Sequence, residues 1–281
     1  MPRNELLDQI ASVGLVESRL VERVGHEALT VPNEWVTEYG RYQSGGWHTV
    51  SLLNGSGETA DVTIRDCDPV ATPLLERMPA TRRFLDSLGL RFMWVRLARL
   101  APNAFLWEHR DYGELDAVER RRLHVPLVTN PSAALVLGGV SVHLRTGHLW
   151  RLGPTYPHGA CNLLGPDRIH LIADYYADPV LDRLHERAEL VSQDVRVLPA
   201  ASQACVDEWL EQARSLAALG YTGAAERLLL RLFYQWSLPE GAGYELIASL
   251  YERLGDEARA RSWRAEGSLL LGRAGLPEVA R

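Results

Sequence analysis

His109-Arg110-Asp111 and, further along, His158 are residue types that can hold a redox metal. Two imidazoles and one carboxylate can cap one face of an octahedral iron(II) and leave three positions open. The first pair stands in Phe105-Leu-Trp-Glu-His-Arg-Asp111. Strand side chains alternate in direction, so His109 and Asp111 point one way and Arg110 the other. The third ligand must come from elsewhere, and His158, in Tyr156-Pro-His-Gly159, is the best candidate. Ten residues later comes Arg168, in Asp167-Arg-Ile-His-Leu-Ile172. Its planar fork suits a dicarboxylate co-substrate, which it can grip bidentately. Each piece alone has an ordinary explanation: a loop ion pair, a turn histidine, a surface arginine. Together, in a strand-rich stretch, they suggest the chemistry of an iron(II)- and 2-oxoglutarate-dependent oxygenase. Seven of the nine histidines fall between positions 109 and 185, where this site is expected.

A longer ordered set surrounds these residues: Gly46-Trp47 with Asn54-Gly55-Ser56-Gly57, Arg96-Leu-Ala-Arg99, His109-Arg-Asp-Tyr112, Glu114-Leu115, Arg122-Leu-His124 with Thr129-Asn130, Gly147-His-Leu-Trp150, Pro157-His158 with Asn162, and Arg168-Ile-His-Leu171. In this set the chain resembles the aspartyl/asparaginyl β-hydroxylase-like oxygenases, and within them the bacterial free proline hydroxylases. The resemblance runs from about Trp47 to Asp174, with a similar helical tail behind it. It implies a double-stranded β-helix, a co-substrate held with the help of His124, and a substrate carboxylate held by Arg122 and Arg96. One departure is His148, where the family usually carries Glu; it bears on local packing or substrate preference, not on the iron.

The residues themselves refine these roles. His124 and Arg122 share a strand face. His170 shares the face of Arg168, where it either adds a hydrogen bond or is a structural core histidine. Arg96 and Arg99 both sit in the apolar run Trp94–Leu100, three residues apart, so on a regular strand they face opposite ways. A buried guanidinium needs an anionic partner or a route to water. Arg96 is the one expected to point inward, since the family's substrate arginine lies at that distance before HxD. Arg120 and Arg121 read as a solvated basic run. Trp107 and Tyr112 are candidate walls of a substrate pocket, and Trp150 reads as an ordinary core aromatic. With Asp111 present the chemistry favours hydroxylation over halogenation, because a small residue there would open a site for halide.

Composition sets the limits. The chain has 281 residues, 46% of them hydrophobic, which is ample for one large and one small domain. A net charge of −6 gives no nucleic-acid footprint. Cys67, Cys161 and Cys205 are too scattered for a zinc pattern or a disulfide framework, so a cytoplasmic setting is expected. Residues 1–20 lack the apolar stretch of a signal peptide, and no run is long enough to span a membrane.

The elements that must position these residues follow from periodicity. Residues 5–29 and 73–90 have helical spacing. Short apolar runs then succeed one another: 92–100, 104–107, 123–128, 134–137, 140–144, 149–152 and 169–175. Gly138-Gly139 suits a two-residue hairpin. Many short strands separated by turns imply a sandwich, barrel or jelly roll. Beyond position 202 the pattern is helical again, over 204–219, 224–236, 243–254 and 257–271, with Thr222 a candidate cap. The expected fold is mainly β with flanking helices: a double-stranded β-helix (jelly-roll, cupin-like) core over residues 1–200 and a C-terminal helical domain over 201–281. We read the tail as a packing appendage, with a homodimer interface as the functional alternative.

The combined expectation is hydroxylation of a small L-amino acid, proline-like or other, with iron(II), 2-oxoglutarate and dioxygen, in specialised metabolism. Hydroxylation of an Asp or Asn in a peptide is the alternative within the class. Outside it stand a cupin-type metalloprotein without oxygenase activity and an interaction module built on the tail.

Overall fold

A computed structural model describes residues 3–38, 40–111, 115, 117–177 and 188–272. Tyr112 and Glu114, both named above, lie outside the described residues. The strands are β1 (Ile10–Leu15), β2 (Val36–Thr37), β3 (Trp47–Asn54), β4 (Val70–Ala71), β5 (Phe92–Leu100), β6 (Ala104–Phe105), β7 (Arg120–Val128), β8 (Ala133–Leu137), β9 (Val140–Val142), β10 (His148–Leu152), β11 (Gly159–Asn162), β12 (Arg168–Tyr176) and β13 (Val195–Val197). They form two sheets. The larger runs β1-β10-β7-β12-β5-β3-β2, with β4 on β3, and the smaller runs β13-β9-β8-β11-β6. All the pairings are antiparallel, and the fold is the expected double-stranded β-helix.

Period-two alternation decides what lies where. On β5, β7 and β12 the odd positions, such as Val95, Leu97, Leu123, Val125, Leu171 and Ala173, face a core shared with two helices. These are α2 (Ser18–Thr30), through Val24 and Ala28, and α4 (Pro79–Leu88), through Phe84 and Leu85. Each such fully buried side chain contributes roughly 1.5–3 kcal/mol. The even positions face the smaller sheet: Ala98, Leu100, Trp150, Leu152 and Ile172 pack on Leu135, Leu137 and Val142. The polar members of that inner face form the site.

The N-terminal helix breaks earlier than its spacing suggests. Only Arg3–Gln9 (α1) is helical before α2, and Ile10–Leu15 between them is an edge strand paired with β10. Ile10 and Val13 fit a helical stripe, but their β-branched side chains serve as well on a strand, and ladder pairing wins. The helix expected over 73–90 is interrupted after Glu76, giving α3 (Pro73–Glu76) and α4, because Pro79 starts a new first turn. Gly138 and Gly139 have φ of 51° and 75° between Leu137 and Val140, which pair, so the two-residue hairpin is present.

The tail comprises α5 (Gln203–Ala218), α6 (Thr222–Arg231), α7 (Ala242–Arg253) and α8 (Glu257–Leu271). Ser202 caps α5 and Asp256 caps α8 through backbone N–H groups three residues on. Thr222 is not a cap: Tyr221 occupies that position with no side-chain bond. The helices lie on the smaller sheet, where Phe105, Val136 and Cys161 share a core with Leu229, Phe233, Tyr234 and Ile247. Among the described residues no helix is long and apolar enough to cross a membrane.

Candidate active site

His109, Asp111 and His158 meet at one end of the space between the sheets. Their ligand atoms all lie within 4.8 Å of one another. His109 Nε2 is 3.2 Å from Asp111 Oδ1, and His158 Nε2 is 3.7 Å from Asp111 Oδ2. Adjacent ligands on one metal with bonds of ~2.1 Å stand about 3 Å apart, so this spacing is right for a shared ion. His109 is not on a continuous strand, as the alternation argument assumed. It exchanges both backbone hydrogen bonds with His158 in an isolated bridge, at 2.9 Å each, and this places the two imidazoles side by side. Asp111 N–H donates to Pro154 O at 2.9 Å.

The donor set is prepared for a cation. Nδ1 of His109 lies 2.7 Å from Trp107 O, and Nδ1 of His158 lies 2.8 Å from Tyr156 O. A carbonyl only accepts, so each Nδ1 carries a proton, and each Nε2 is the atom turned toward Asp111. Burial pushes the His158 pKa down to about 4, with the neighbouring His109 adding to the effect, so the ligand is neutral near pH 7. Burial alone would raise the Asp111 pKa. The Arg122 charge and the contacts with His109 and His158 overcome this and hold the carboxyl well below its usual range. Asp111 Oδ1 is buried with no hydrogen-bond donor. Two buried imidazole nitrogens and one under-satisfied carboxylate fit iron(II).

Arg168 on β12 and His124 on the neighbouring β7 line the same space, with His170 buried beside them. Arg168 Nη2 donates to His170 Nδ1 at 2.8 Å. Its Nη1 and His124 Nε2 are buried without partners. Burial brings the Arg168 pKa down to about 10, so the guanidinium stays charged. Burial first, then the Arg168 charge, keeps the His124 and His170 pKa values well below the usual range, so both are neutral. A buried cation with an unfilled donor position, facing the metal ligands across one cavity, fits the distal carboxylate of 2-oxoglutarate. That cavity is small, about 20 Å³, and is lined also by Trp47, Arg96, Arg122 and Ile172.

Arg96 and Arg122 both point inward, and their partner in the fold is Asp174, which the sequence reading missed. Arg122 donates to it bidentately, Nε to Oδ1 at 2.9 Å and Nη2 to Oδ2 at 3.1 Å. Arg96 Nη1 reaches Oδ2 at 3.1 Å, and its guanidinium lies 3.6 Å over the Trp94 ring. Arg122 also donates to Asp111 Oδ2, tying this cluster to the metal ligands. Arg99, by contrast, faces Asp167 near solvent at 4.0 Å.

Two expectations need correction. Arg120 is not part of a solvated run: it is buried, 3.7 Å from Asp174 Oδ1 and 3.5 Å from Asp111 O. It shares the even, inward face of β7 with Arg122 and His124, whereas Arg121 faces the other way. Trp107 is not brought into the metal cavity. Its ring packs 5.0 Å from Trp263 and 6.5 Å from Tyr244, against the tail, because the chain leaves the sheet after β6 and the alternation is lost. Trp150 is the buried core aromatic expected, donating to Arg145 O at 3.1 Å. His148 lies 2.9 Å from Ser12 Oγ where β1 joins β10, so the departure there is a matter of packing.

The chain is similar to several known proteins. The family model described as aspartyl/asparaginyl beta-hydroxylase matches residues 21–178. The L-proline cis-4-hydroxylase of Rhizobium meliloti (strain 1021) is 30% identical over 174 residues, and the match spans 60% of each chain. An L-proline cis-3-hydroxylase of a Streptomyces species is 26% identical over 251 residues, 84% of this chain and 86% of that one. Among solved structures, HygX from Streptomyces hygroscopicus with nickel and 2-oxoglutarate bound aligns at a TM-score of 0.41 and 13% identity, over 64% of this chain and 88% of its own. With its family matched over more than half its length and a cluster that could hold a metal inside that span, the chain belongs to the aspartyl/asparaginyl β-hydroxylase family and is an enzyme of the hydroxylase class.

Proposed function

We propose that this enzyme hydroxylates a free L-amino acid, with iron(II) held by His109, Asp111 and His158 and 2-oxoglutarate held by Arg168, His124 and His170. The observation that carries the reading is the convergence of His109, Asp111, His158, Arg168 and His124 with Arg96 and Arg122 on one buried cavity, with His170 hydrogen-bonded to Arg168. Iron(II), 2-oxoglutarate and dioxygen together supply the oxidant, with succinate and carbon dioxide as by-products.

The protein's part is positioning and exclusion of water. The two Nδ1–H groups, tied to carbonyls, fix the imidazole planes. Arg168 orients the co-substrate through its far carboxylate. Arg96 and Arg122, preset by Asp174, receive the amino acid's carboxylate, so one C–H bond is held toward the metal. The cavity's buried lining supports a small molecule over a peptide, whose chain would have to run on in both directions. The two proline hydroxylases among its relatives support a proline-like substrate.

The test is succinate release with iron(II), 2-oxoglutarate and a panel of free amino acids, each also supplied amidated and within a peptide. Mass spectrometry would show the gain of one oxygen atom. We expect turnover of a free amino acid and poor turnover of its amide. Faster turnover of the amide or the peptide would replace the free-amino-acid reading with the peptide one.

A further inference from the structure

The segment carrying two of the three metal ligands is not held by a sheet. Among the described residues between the end of β6 at Phe105 and the start of β7 at Arg120, the strand pairing reduces to isolated bridges at Leu106 and His109. Three of its other main-chain groups are satisfied from the C-terminal helices, while Leu106, Trp107 and Asp111 N–H donate to Ala160, Tyr42 and Pro154 O at 2.8, 2.9 and 2.9 Å. Tyr234 Oη donates to Leu106 O, and Tyr244 Oη donates to Glu108 O at 2.5 Å. Arg110 N–H donates to Leu270 O at 2.9 Å. The outward side chains are taken up in the same way. Glu108 Oε2 accepts from Gly241 N–H at 2.8 Å. Arg110 spans three elements: Nε to Leu271 O, Nη1 to Thr155 O and Nη2 to Glu240, each at 2.8 Å. Thr155 belongs to the turn that leads to His158, so Arg110 links both ligand-bearing segments to the tail.

We propose that the C-terminal helices are the scaffold that sets the metal ligands, with Tyr244 and Arg110 as its positioning residues. The proposal rests on the metal reading above. The side chains of Glu108 and Arg110 and the carbonyls of Leu106 and Glu108 meet the tail while His109 and Asp111 face the cavity, so these contacts fix the inward neighbours. Metal ligands need placement within about 0.5 Å, and an unpaired loop of this length does not provide it alone. Here the tail supplies the fixed points that a ladder would supply elsewhere.

Metal affinity separates positioning from general stability. Cobalt(II), followed by its visible absorption, is titrated into metal-free, full-length protein, and the melting temperature of the metal-free form is measured alongside. Tyr244→Phe keeps the ring against Trp107 and removes only the hydroxyl. Tyr251→Phe is the control: it removes a hydroxyl bonded to Glu226 at 2.6 Å inside the tail, without touching the ligand segment. We expect Tyr244→Phe to raise the cobalt Kd roughly tenfold or more and to alter the cobalt spectrum. Tyr251→Phe should lose comparable melting temperature and keep the wild-type cobalt Kd. Arg110→Leu should shift the Kd in the same direction as Tyr244→Phe, and it decides the matter if Tyr244→Phe does not fold. Wild-type cobalt binding in Tyr244→Phe and Arg110→Leu overturns the scaffold role and leaves the metal site standing. Failure of the wild type itself to bind cobalt overturns the metal reading, and the scaffold with it.

Discussion

Arg122 touches two carboxylates, Asp174 on one side and Asp111 on the other, and so joins the proposed substrate side of the cavity to the proposed metal side. Asp174 is fully buried, and its charge holds Arg96 and Arg122 ready for a carboxylate. Asp174→Asn keeps the shape and removes the charge. Loss of one member of a buried ion cluster costs on the order of 3 kcal/mol, so denaturant unfolding should show a loss of that size. The amino-acid KM should rise while 2-oxoglutarate binding changes little; wild-type stability would mean that the guanidiniums are anchored elsewhere. Arg168→Lys retains charge but not the fork, and the 2-oxoglutarate Kd of metal-loaded protein should rise about tenfold or more. An unchanged Kd would assign the distal carboxylate to another residue. The meeting of His109, Asp111 and His158, and the inward placement of Arg168, His124 and Arg96, were legible in the sequence because chemistry and spacing agree there. Asp174 was not, although it continues the inward series Arg168, His170, Ile172: a lone acid in an apolar strand carries no motif. Arg120 was misread for a related reason, since a basic triplet looks solvated until strand alternation is applied to each member. Trp107 failed because its segment has left the sheet.

At the level of elements, hairpins and helices were read well wherever local chemistry dictates them. The Gly138-Gly139 turn needs two positive φ angles, and the pattern of the last two tail helices gave their limits almost to the residue. Elements defined by their partners were harder. β1 was hidden inside a helical stripe, and β11, Gly159-Ala-Cys-Asn162, has too few β-branched residues to announce a strand. It is held between β8 and β6, and Tyr234 lies against Gly159. The β8–β9 turn offers a test at this scale. Gly139 has φ 75°, and a Cβ there would fall 2.2 Å from Ser237 Oγ and 2.8 Å from Ser237 Cβ. Left-handed backbone costs a non-glycine residue about 1–2 kcal/mol, and the overlap adds to it. Gly139→Ala should therefore destabilise by about 2 kcal/mol or more, and Ser237→Gly in the same chain should recover only the part due to overlap. Full recovery would place the whole cost in the contact and none in the backbone.

For the molecule as a whole, the sheets and the tail share one core, since Phe105, Val136 and Cys161 are buried together with Leu229, Phe233, Tyr234 and Ile247. Polar bonds from Tyr234, Tyr244 and Arg110 cross the same boundary. Parts joined this way unfold together, because opening the tail would expose apolar surface on the smaller sheet and strip the ligand segment of its partners. Ligand binding makes this measurable. A ligand that binds only the folded state stabilises it by about 2.7 kcal/mol at 100 times its Kd. Cobalt(II) with 2-oxoglutarate should then slow amide exchange in β7 and β12, which line the cavity, and by a similar factor in Ala242–Arg253, which does not line it. The slowest-exchanging amides of all three elements should report one common opening free energy, with and without ligand. Protection gained in the strands while Ala242–Arg253 exchanges at its ligand-free rate would make the tail an independently unfolding unit. Its grip on Glu108 and Arg110 would then be too weak to set the geometry of His109 and Asp111.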